Sequence, residues 1–375
     1  MMYFVPSWYH GNEYKENEQY WYRRRTVTEF DDSVKQVQMF NRNNIMDYKI
    51  LNLSYCPNFR HFLHRQSVFH APYWSCFDAI QEIRRSKVDI LSYRDLMWPD
   101  YTEFVYTPFC ILAYVRNEKY AEIHFGEDGN MIEVFLFQSE IMVRKNVYDD
   151  RGFLSSTIVY ENNKPIYEQY LDEKGKWKLL HFFEDDHIEI NSENPYYLIG
   201  NKRFTFQSLN YGSMESLIEE VFSTYLDEMT EKSDIFCLAM HTLHHDLLES
   251  LFTQRKTILS FYQNRMDLFE DAEMKSLIRS TNYCIVDSKH KIRPLEKYAG
   301  KTLPIVDITP FDTRADFGIS QQLTVQNILV PIDSIEQSKL EALIVLFAKY
   351  FETNETARVH FFTRNANWDR VDSVL

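Results

Sequence analysis

The chain has 375 residues, a hydrophobic fraction of 45% and a formal net charge of −14. This length exceeds one ordinary domain, and the hydrophobic fraction is normal for globular proteins that bury a sizeable core. The negative charge opposes a general affinity for nucleic acid or for an anionic membrane surface. The composition therefore predicts a multidomain globular protein that does not bind nucleic acid.

The N-terminus and the cysteines favour a cytoplasmic location. Met1–Val5 is a short apolar run that ends at Pro6 and lacks the basic region of a secretory signal. The longest unbroken apolar run, Ala342–Ala348, is far too short to span a membrane. Five scattered cysteines without a CxxC pair are typical of buried thiols in a reducing compartment. We therefore expect a cytoplasmic protein without a transmembrane segment.

Residues 1–103 predict the first part of a Rossmann-like α/β domain. Met2–Val5 has the pattern of a buried strand, and helical and strand patterns alternate after it. Trp8 and Tyr9 follow the first strand, which is where open α/β sheets bind their ligands. We therefore take Trp8 and Tyr9 as candidate cleft or partner-binding residues.

Residues 104–208 change from helical periodicity to the alternation of short strands. Turn sequences separate several of these strands, at residues 128–130, 149–152, 162–165 and 174–175. Short strands joined by tight turns form an antiparallel meander, and one inside an α/β chain indicates an inserted domain. We expect this meander domain to fold as a discrete sheet and to be dispensable for folding of the surrounding α/β core.

Residues 209–302 return to the α/β pattern and predict the second part of the first Rossmann-like domain. Ser213 is a suitable N-cap for an amphipathic helix with Glu215 in its first turn. The continuous apolar run Ile235–Met240 is typical of a parallel strand covered on both faces. The following alternation of strands and helices indicates crossover connections in a parallel sheet.

Residues 303–375 combine a proline-rich hinge with the start of a second Rossmann-like domain. We predict a strand at Ile328–Val330, a helix opened by a capping box of Ser334 and Gln337, and a strand at Arg358–Phe362. One strand–helix–strand unit cannot cover its own sheet. The second Rossmann-like domain is therefore expected to be incomplete in this chain.

The polar centre of the hinge provides the remaining candidate binding residues. Prolines fix the backbone on both sides of it, so it is expected to be ordered. Its side chains would face a cleft between the two α/β units or a partner; alternatively, they form a surface loop held together by its own ion pair. The candidates are Asp312, Thr313, Arg314, Gln321 and Gln322.

Chemical motifs are scarce. The nine glycines form no GxGxxG, P-loop or GxSxG sequence, although backbone phosphate cradles nearly always need such glycines. His241 and His245 have the spacing of zinc-protease ligands, but the sequence HTLHH lacks the glutamate of HExxH. A polar loop at the edge of the sheet fits this cluster better than a metal site. We therefore predict no catalytic residue, no metal and no cofactor.

Three segments resemble one protein family over essentially the whole chain. They are MYFVPSWY at residues 2–9, the turn at 149–152 and, most specifically, ITPFDTRADFGISQQ at 308–322. They resemble the first of the accessory Sec system proteins of streptococci, staphylococci and related Gram-positive bacteria. The resemblance implies an α/β, GT-B-like architecture of two Rossmann-like domains with a β-meander domain inserted in the first.

The resemblance also implies function. Together with two sister accessory proteins and a motor ATPase, such a protein carries glycosylated serine-rich repeat adhesins to a membrane channel. It would lie in the cytoplasm or, through its partners, at the inner face of the membrane. The family is regarded as non-catalytic; the alternative is an active GT-B glycosyltransferase that uses a sugar nucleotide.

One position argues against that alternative independently of the resemblance. Active GT-B enzymes usually place a basic residue after the first strand of the second domain, where it meets the donor phosphates. Here the strand Asn327–Val330 leads to Pro331, Ile332 and Asp333. An acid therefore stands where a cation is needed.

Overall fold

The computed structural model describes residues 1–15, 20–22, 31–45, 47–266, 275–308, 325–333, 335–363 and 371. The chain divides into two compact units, Met1–Phe311 and Asp312–Leu375. The first unit contains a seven-stranded and a ten-stranded sheet, and the second contains a two-stranded sheet. Within the described residues, no helix has both the length and the apolarity that crossing a membrane requires.

The seven-stranded sheet is entirely parallel. In chain order its strands are β1 (Met2–Val5), β2 (Tyr48–Asn52), β3 (Tyr73–Ser75), β16 (Ile235–Ala239), β17 (Lys256–Phe261), β18 (Tyr283–Val286) and β19 (Ile305–Asp307). Hydrogen bonding places them in the order β19-β18-β17-β16-β1-β2-β3. The strands are rich in aliphatic and aromatic residues, and the central ones are buried, as expected where helices cover both faces of a sheet.

Seven helices of the described residues accompany this sheet. Two begin at the caps that the sequence indicates, because the side chains of Asp31 and Ser213 accept hydrogen bonds from the first backbone amides of their helices. The helices are α1 (Asp32–Arg42), α2 (Phe59–Arg65), α3 (Cys76–Ile80), α4 (Met214–Met229), α5 (His245–Phe252), α6 (Lys275–Ser280) and α7 (Ile292–Ala299).

The ten-stranded sheet is the antiparallel meander. Its strands are β4 (Thr102–Tyr106), β5 (Ile111–Val115), β6 (Glu118–Phe125), β7 (Met131–Gln138), β8 (Ile141–Asp149), β9 (Phe153–Glu161), β10 (Lys164–Leu171), β11 (Trp177–Phe182), β12 (Ile188–Ile190) and β15 (Asn210–Tyr211). Consecutive strands pair from β4 to β12, and β15 lies at the far edge. The strand expected at Lys202–Phe206 forms instead a separate hairpin, in which β14 (Lys202–Thr205) pairs with β13 (Tyr196–Ile199).

The meander and the α/β sheet share one hydrophobic core. Tyr170 of β10 is 1% exposed and packs against Tyr55 and Phe77 of the α/β part, at centroid distances of 4.9 and 5.6 Å. Leu179 and Ile188 are fully buried in the same cluster. The shared core conflicts with the expectation that the meander is dispensable, since its removal would uncover large apolar side chains.

The second unit contains one strand–helix–strand motif. β20 (Gln326–Pro331) and β21 (Ala357–Phe362) are parallel, and α8 (Gln337–Thr353) connects them. The predicted capping box is wrong, because α8 begins at Gln337 itself and its N-cap, Glu336, makes no side-chain capping bond. The small core of this unit comprises Val330, Ile332, Leu340, Ile344 and Val371.

Candidate functional site

The candidate site lies at the carboxyl edge of the parallel sheet, between β1 and β16. From β1 the chain moves to β2 on one side, and from β16 it moves to β17 on the other. The loops that leave β1 and β16 therefore diverge, and such a switch point is where open α/β sheets form a binding crevice. The loop after β1 contains Trp8 and Tyr9, the loop after β16 contains His241 and His244, and Arg265 follows β17.

Trp8 supports this edge from behind and does not face it. Its side chain is 5% exposed and packs against Phe59 and Phe62 of α2. The indole Nε1 donates a hydrogen bond of 2.9 Å to Asp31 Oδ1. A buried indole cannot contact a ligand, so Trp8 positions the loop, whereas half-buried Tyr9 remains a candidate contact residue.

A buried ion-pair cluster closes the edge between β1 and β17. Arg265 Nη1 lies 3.1 Å from Asp31 Oδ2, and Arg265 Nη2 lies 2.9 Å from Asp32 Oδ2. The same Nη1 donates to Ser7 Oγ at 2.7 Å, and Ser260 Oγ donates to Asp32 Oδ2. The guanidinium is therefore consumed by partners within the chain.

Burial and pairing act against each other in this cluster. Burial raises the pKa of Asp31 to about 6, with the neighbouring Asp32 adding to the rise and Arg265 only partly offsetting it. Burial lowers the pKa of the Arg265 guanidinium, but Asp32 and Asp31 outweigh it and the pKa is raised overall. At neutral pH the carboxylates and the guanidinium are thus all ionised, and their charges are matched locally.

His244 is held as a neutral imidazole. Its Nε2 lies 2.7 Å from the Ala239 carbonyl, so Nε2 carries the proton, and Nδ1 accepts from the Tyr9 hydroxyl at 2.7 Å. Burial lowers the pKa of His244 to about 3, and the bond to Ala239 offsets this only in part. An imidazole with both nitrogens engaged cannot serve as a general base.

Tyr9, Tyr14 and His241 form an aromatic face beside this pair. The Tyr9 ring lies 5.4 Å from Tyr14 and 5.3 Å from His241, both edge to face. His241 Nδ1 accepts from the Leu243 amide at 3.0 Å. Burial lowers the pKa of His241 to about 4, and the nearby Arg265 charge lowers it further. The face is therefore aromatic and uncharged at neutral pH.

This arrangement suits recognition better than chemistry. Among the described side chains of the site, the only full positive charge belongs to Arg265, which is already paired and cannot hold a phosphate. In the part of the chain that the structure describes, no cluster of three or more His, Cys, Asp or Glu residues could hold a metal ion. Aromatic rings with polar edges can pack on the apolar face of a neutral, hydroxyl-rich ligand.

The structure brings together residues that the sequence does not link. Arg265 lies more than 230 positions from Asp31 and Asp32, and no motif marks it. Asp31 and Asp32 are recognisable from the sequence only as a helix start. The hinge candidates Asp312, Thr313, Arg314, Gln321 and Gln322 lie outside the described residues, so their role stays a prediction.

In the second unit, the acid that follows β20 is engaged within the chain. The Thr363 hydroxyl, just beyond β21, donates to Asp333 Oδ1. A carboxylate held at this position repels the phosphates of a sugar nucleotide. The unit therefore lacks, at the end of its first strand, the cation that donor binding requires.

Two curated proteins are similar to most of this chain. Both are described as the first accessory Sec system protein, which is also the description of the family model that matches residues 1–374. The Streptococcus gordonii protein is 31% identical over 90% of this chain, and the Staphylococcus aureus protein is 28% identical over 98%. The chain spans 63% and 70% of the lengths of these two relatives.

Solved structures add the fold. The Glycosylation Associate Protein (Gap123) complex from Streptococcus agalactiae matches with 30% identity, and the structure of accessory secretory protein 1, 2 and 3 in Streptococcus pneumoniae matches with 27%. Each has a TM-score of 0.81 and covers 100% of this chain and 75% of the matched chain.

A more distant neighbour belongs to the glycosyltransferases. The pneumococcal O-GlcNAc transferase GtfA, in complex with UDP and GlcNAc, matches with a TM-score of 0.61 and 10% identity over 96% of this chain and 75% of that chain. This similarity concerns the fold alone, and it confirms the α/β, GT-B-like prediction. With a family match over nearly its whole length, the chain belongs to the family of the first accessory Sec system protein.

Proposed function

We propose that the protein is a non-catalytic, glycosyltransferase-like recognition subunit of the accessory Sec export system. The observation that carries this proposal is the state of the carboxyl edge. Its guanidinium is paired with Asp31 and Asp32, and His244 is fixed in a neutral tautomer between Tyr9 and Ala239. A glycosyltransferase fold with these groups engaged retains a crevice but lacks a free base and a free phosphate-binding cation there.

The comparisons support the partners in this proposal. A relative with a TM-score of 0.81 belongs to an assembly of accessory secretory proteins 1, 2 and 3. We propose that this chain acts with two such sister proteins and with the motor ATPase. Its cargo is a glycosylated serine-rich repeat adhesin, and its location is the cytoplasm or, through partners, the inner face of the membrane.

The aromatic face supports glycan recognition within this function. Sugar rings present C–H groups that pack on aromatic side chains, and their hydroxyls need uncharged donors and acceptors. Tyr9, Tyr14 and His241 provide both kinds of contact at the switch point. The alternative function is an active transferase that binds a sugar nucleotide, which the fold of the GtfA neighbour favours.

Calorimetry of the full-length protein separates these functions. The ligand is a serine-rich repeat peptide carrying O-linked N-acetylglucosamine, compared with the same peptide without sugar and with UDP-N-acetylglucosamine. We expect binding of the glycopeptide only, weakened by Tyr9→Ala and unchanged by Tyr101→Ala, a control tyrosine on the meander that is 81% exposed. Binding of the sugar nucleotide with no preference for the glycopeptide would contradict the proposal.

A further inference from the structure

A second cavity, away from the switch point, lies between the α/β part and the meander. Its volume is about 700 Å³, within the usual range of ligand-binding pockets. Three segments line it: α2 with its following loop, the segment 88–93, and the meander loops at 125–131 and 148–152. Both parts belong to the Met1–Phe311 unit, so the cavity is formed within one compact body.

The walls of this cavity are held in place by buried polar contacts. Asp150 Oδ2 accepts from the backbone amides of Arg60 and His61 at 2.9 and 3.3 Å and so ties the meander turn to the start of α2. His61 Nδ1 lies 2.9 Å from Asp128 Oδ2 on the opposite wall. Walls fixed in this way reduce the entropy that binding costs.

The lining is largely apolar and includes one cation that forms no ion pair with a described residue. Phe125, Met131 and Tyr148 contribute apolar surface. That cation is the Arg60 guanidinium, which lies over the Phe69 ring at 5.6 Å. The acid Asp128, in contrast, is matched by His61 and Arg65. The charge left to attract a ligand is therefore positive.

The apolar surface continues beyond the cavity onto its rim. Ile90, whose side chain is 94% exposed, stands on the segment 88–93, and Phe69, 42% exposed, follows α2. Large apolar side chains on the rim of a pocket are typical of protein interaction sites. A small molecule enclosed by the cavity would leave this rim uncovered, whereas a peptide chain would cover both.

From this geometry we propose that the cavity docks an extended segment of a protein partner, which inserts an aromatic or branched aliphatic side chain beside an acidic one. The apolar side chain fills the cavity, and the carboxylate meets the Arg60 guanidinium as a charge-assisted hydrogen bond. The site is independent of the glycan face at the switch point and of the function proposed for it.

The first test uses 8-anilinonaphthalene-1-sulfonate, a probe that combines an aromatic body with one anionic group. Fluorescence titration of the full chain is expected to show one site, weakened about tenfold by either Arg60→Gln or Ile90→Asp. Arg144→Gln and Met97→Asp are matched controls, because both residues are exposed and neither lines the cavity. Circular dichroism verifies that each variant is folded.

The second test identifies the occupant. Phage-displayed random peptides are selected on the wild-type protein and counter-selected on the Arg60→Gln, Ile90→Asp double variant. We expect enrichment of sequences with an aromatic or aliphatic residue within two positions of Asp or Glu.

Three outcomes would overturn the proposal. Probe binding that the two variants and their controls change equally would show that this cavity is not the site. Enriched peptides without an acidic residue would contradict the role of Arg60. A concentration-dependent dimer of the wild type that Ile90→Asp abolishes, detected by light scattering, would identify a second copy of the chain as the occupant instead.

Discussion

At the scale of single residues, Arg265 decides the character of the switch point. An arginine at the carboxyl edge of an α/β sheet is well suited to bind a phosphate, but here Asp31 and Asp32 occupy its guanidinium. The pairing is buried, so removal of one partner leaves charges that water cannot reach. The same residues thus both stabilise the fold and withdraw a cation from ligand binding.

Replacement of Arg265 by Ala should be strongly destabilising. Two buried carboxylates would lose their partner, and such a loss costs about 3–5 kcal/mol of unfolding free energy. Chemical denaturation followed by circular dichroism measures it. Lys202→Ala is the control, because its ion pair with Glu228 is 71% exposed on the lysine side and should contribute almost nothing. Equal small losses in both variants would show that the cluster is solvated.

His244 and His241 are expected to stay neutral down to about pH 5. Their folded pKa values lie below the ordinary value, so the stability that they contribute is present above pH 6.5 and is lost as the pH falls. Nuclear magnetic resonance of protein labelled with ¹⁵N-histidine should show the Nε2–H tautomer for His244 and no titration between pH 8 and 5. Midpoints near 6.5 would contradict the hydrogen-bond assignment.

At the scale of elements, the turn at 149–152 connects the meander to the α/β part. The sequence predicts a turn there but gives no sign of its role. Arg151 is buried, and its guanidinium contacts Asp149 Oδ1 and Asp78 Oδ1, each at 2.7 Å. Burial raises the pKa of Asp149 to about 6 despite the bond from Arg151. A tight turn has thus become an anchor between two sheets.

Gly152→Ala should be much more destabilising than Gly129→Ala. Both glycines have positive φ, +90° and +79°, so both substitutions incur backbone strain of about 1–2 kcal/mol. Only at Gly152 would the new Cβ also lie 1.8 Å from the Asp89 carbonyl oxygen, whereas nothing lies within 4 Å at Gly129. Thermal denaturation of the two variants isolates the steric contribution. Equal melting temperatures would show that the segment around Asp89 can move away.

What the sequence predicts well follows from local pattern. The apolar strand at Ile235–Ala239 and the cap of α4 at Ser213 depend on neighbouring residues, and both are confirmed. The capping box at Ser334 and Gln337 is wrong, because a local motif competes with the packing that decides where α8 begins. The Arg265 cluster could not be predicted, since its members meet only when β1 and β17 enter the same sheet.

At the scale of the whole molecule, the meander is part of the core of the first unit. Five of its side chains belong to the cluster that also contains residues of the α/β part, namely Val147, Tyr170, Leu179, Ile188 and Ile190. Each such burial contributes about 1.5–3 kcal/mol, and the sum is comparable with the total stability of about 5–15 kcal/mol of a typical domain. The two sheets therefore depend on each other for stability.

Deletion of the meander should abolish cooperative folding. Joining Asp100 to Tyr211 through a short Gly/Ser linker would uncover Phe77, and it would also remove the partners of Tyr55. Size-exclusion chromatography and thermal melting followed by circular dichroism would then show an aggregated or non-cooperative product. A soluble monomer with a sharp transition would show that the α/β part folds alone.

Recognition without catalysis is tested most directly by sugar turnover. The full-length protein, alone and with its sister proteins, is incubated with UDP-N-acetylglucosamine and UDP-glucose, with and without a serine-rich repeat peptide. Release of UDP and mass change of the peptide are followed. We predict that neither rises above a protein-free control. UDP release or sugar transfer that Tyr9→Ala or Arg265→Ala abolishes in a folded protein would contradict the account and establish an active glycosyltransferase.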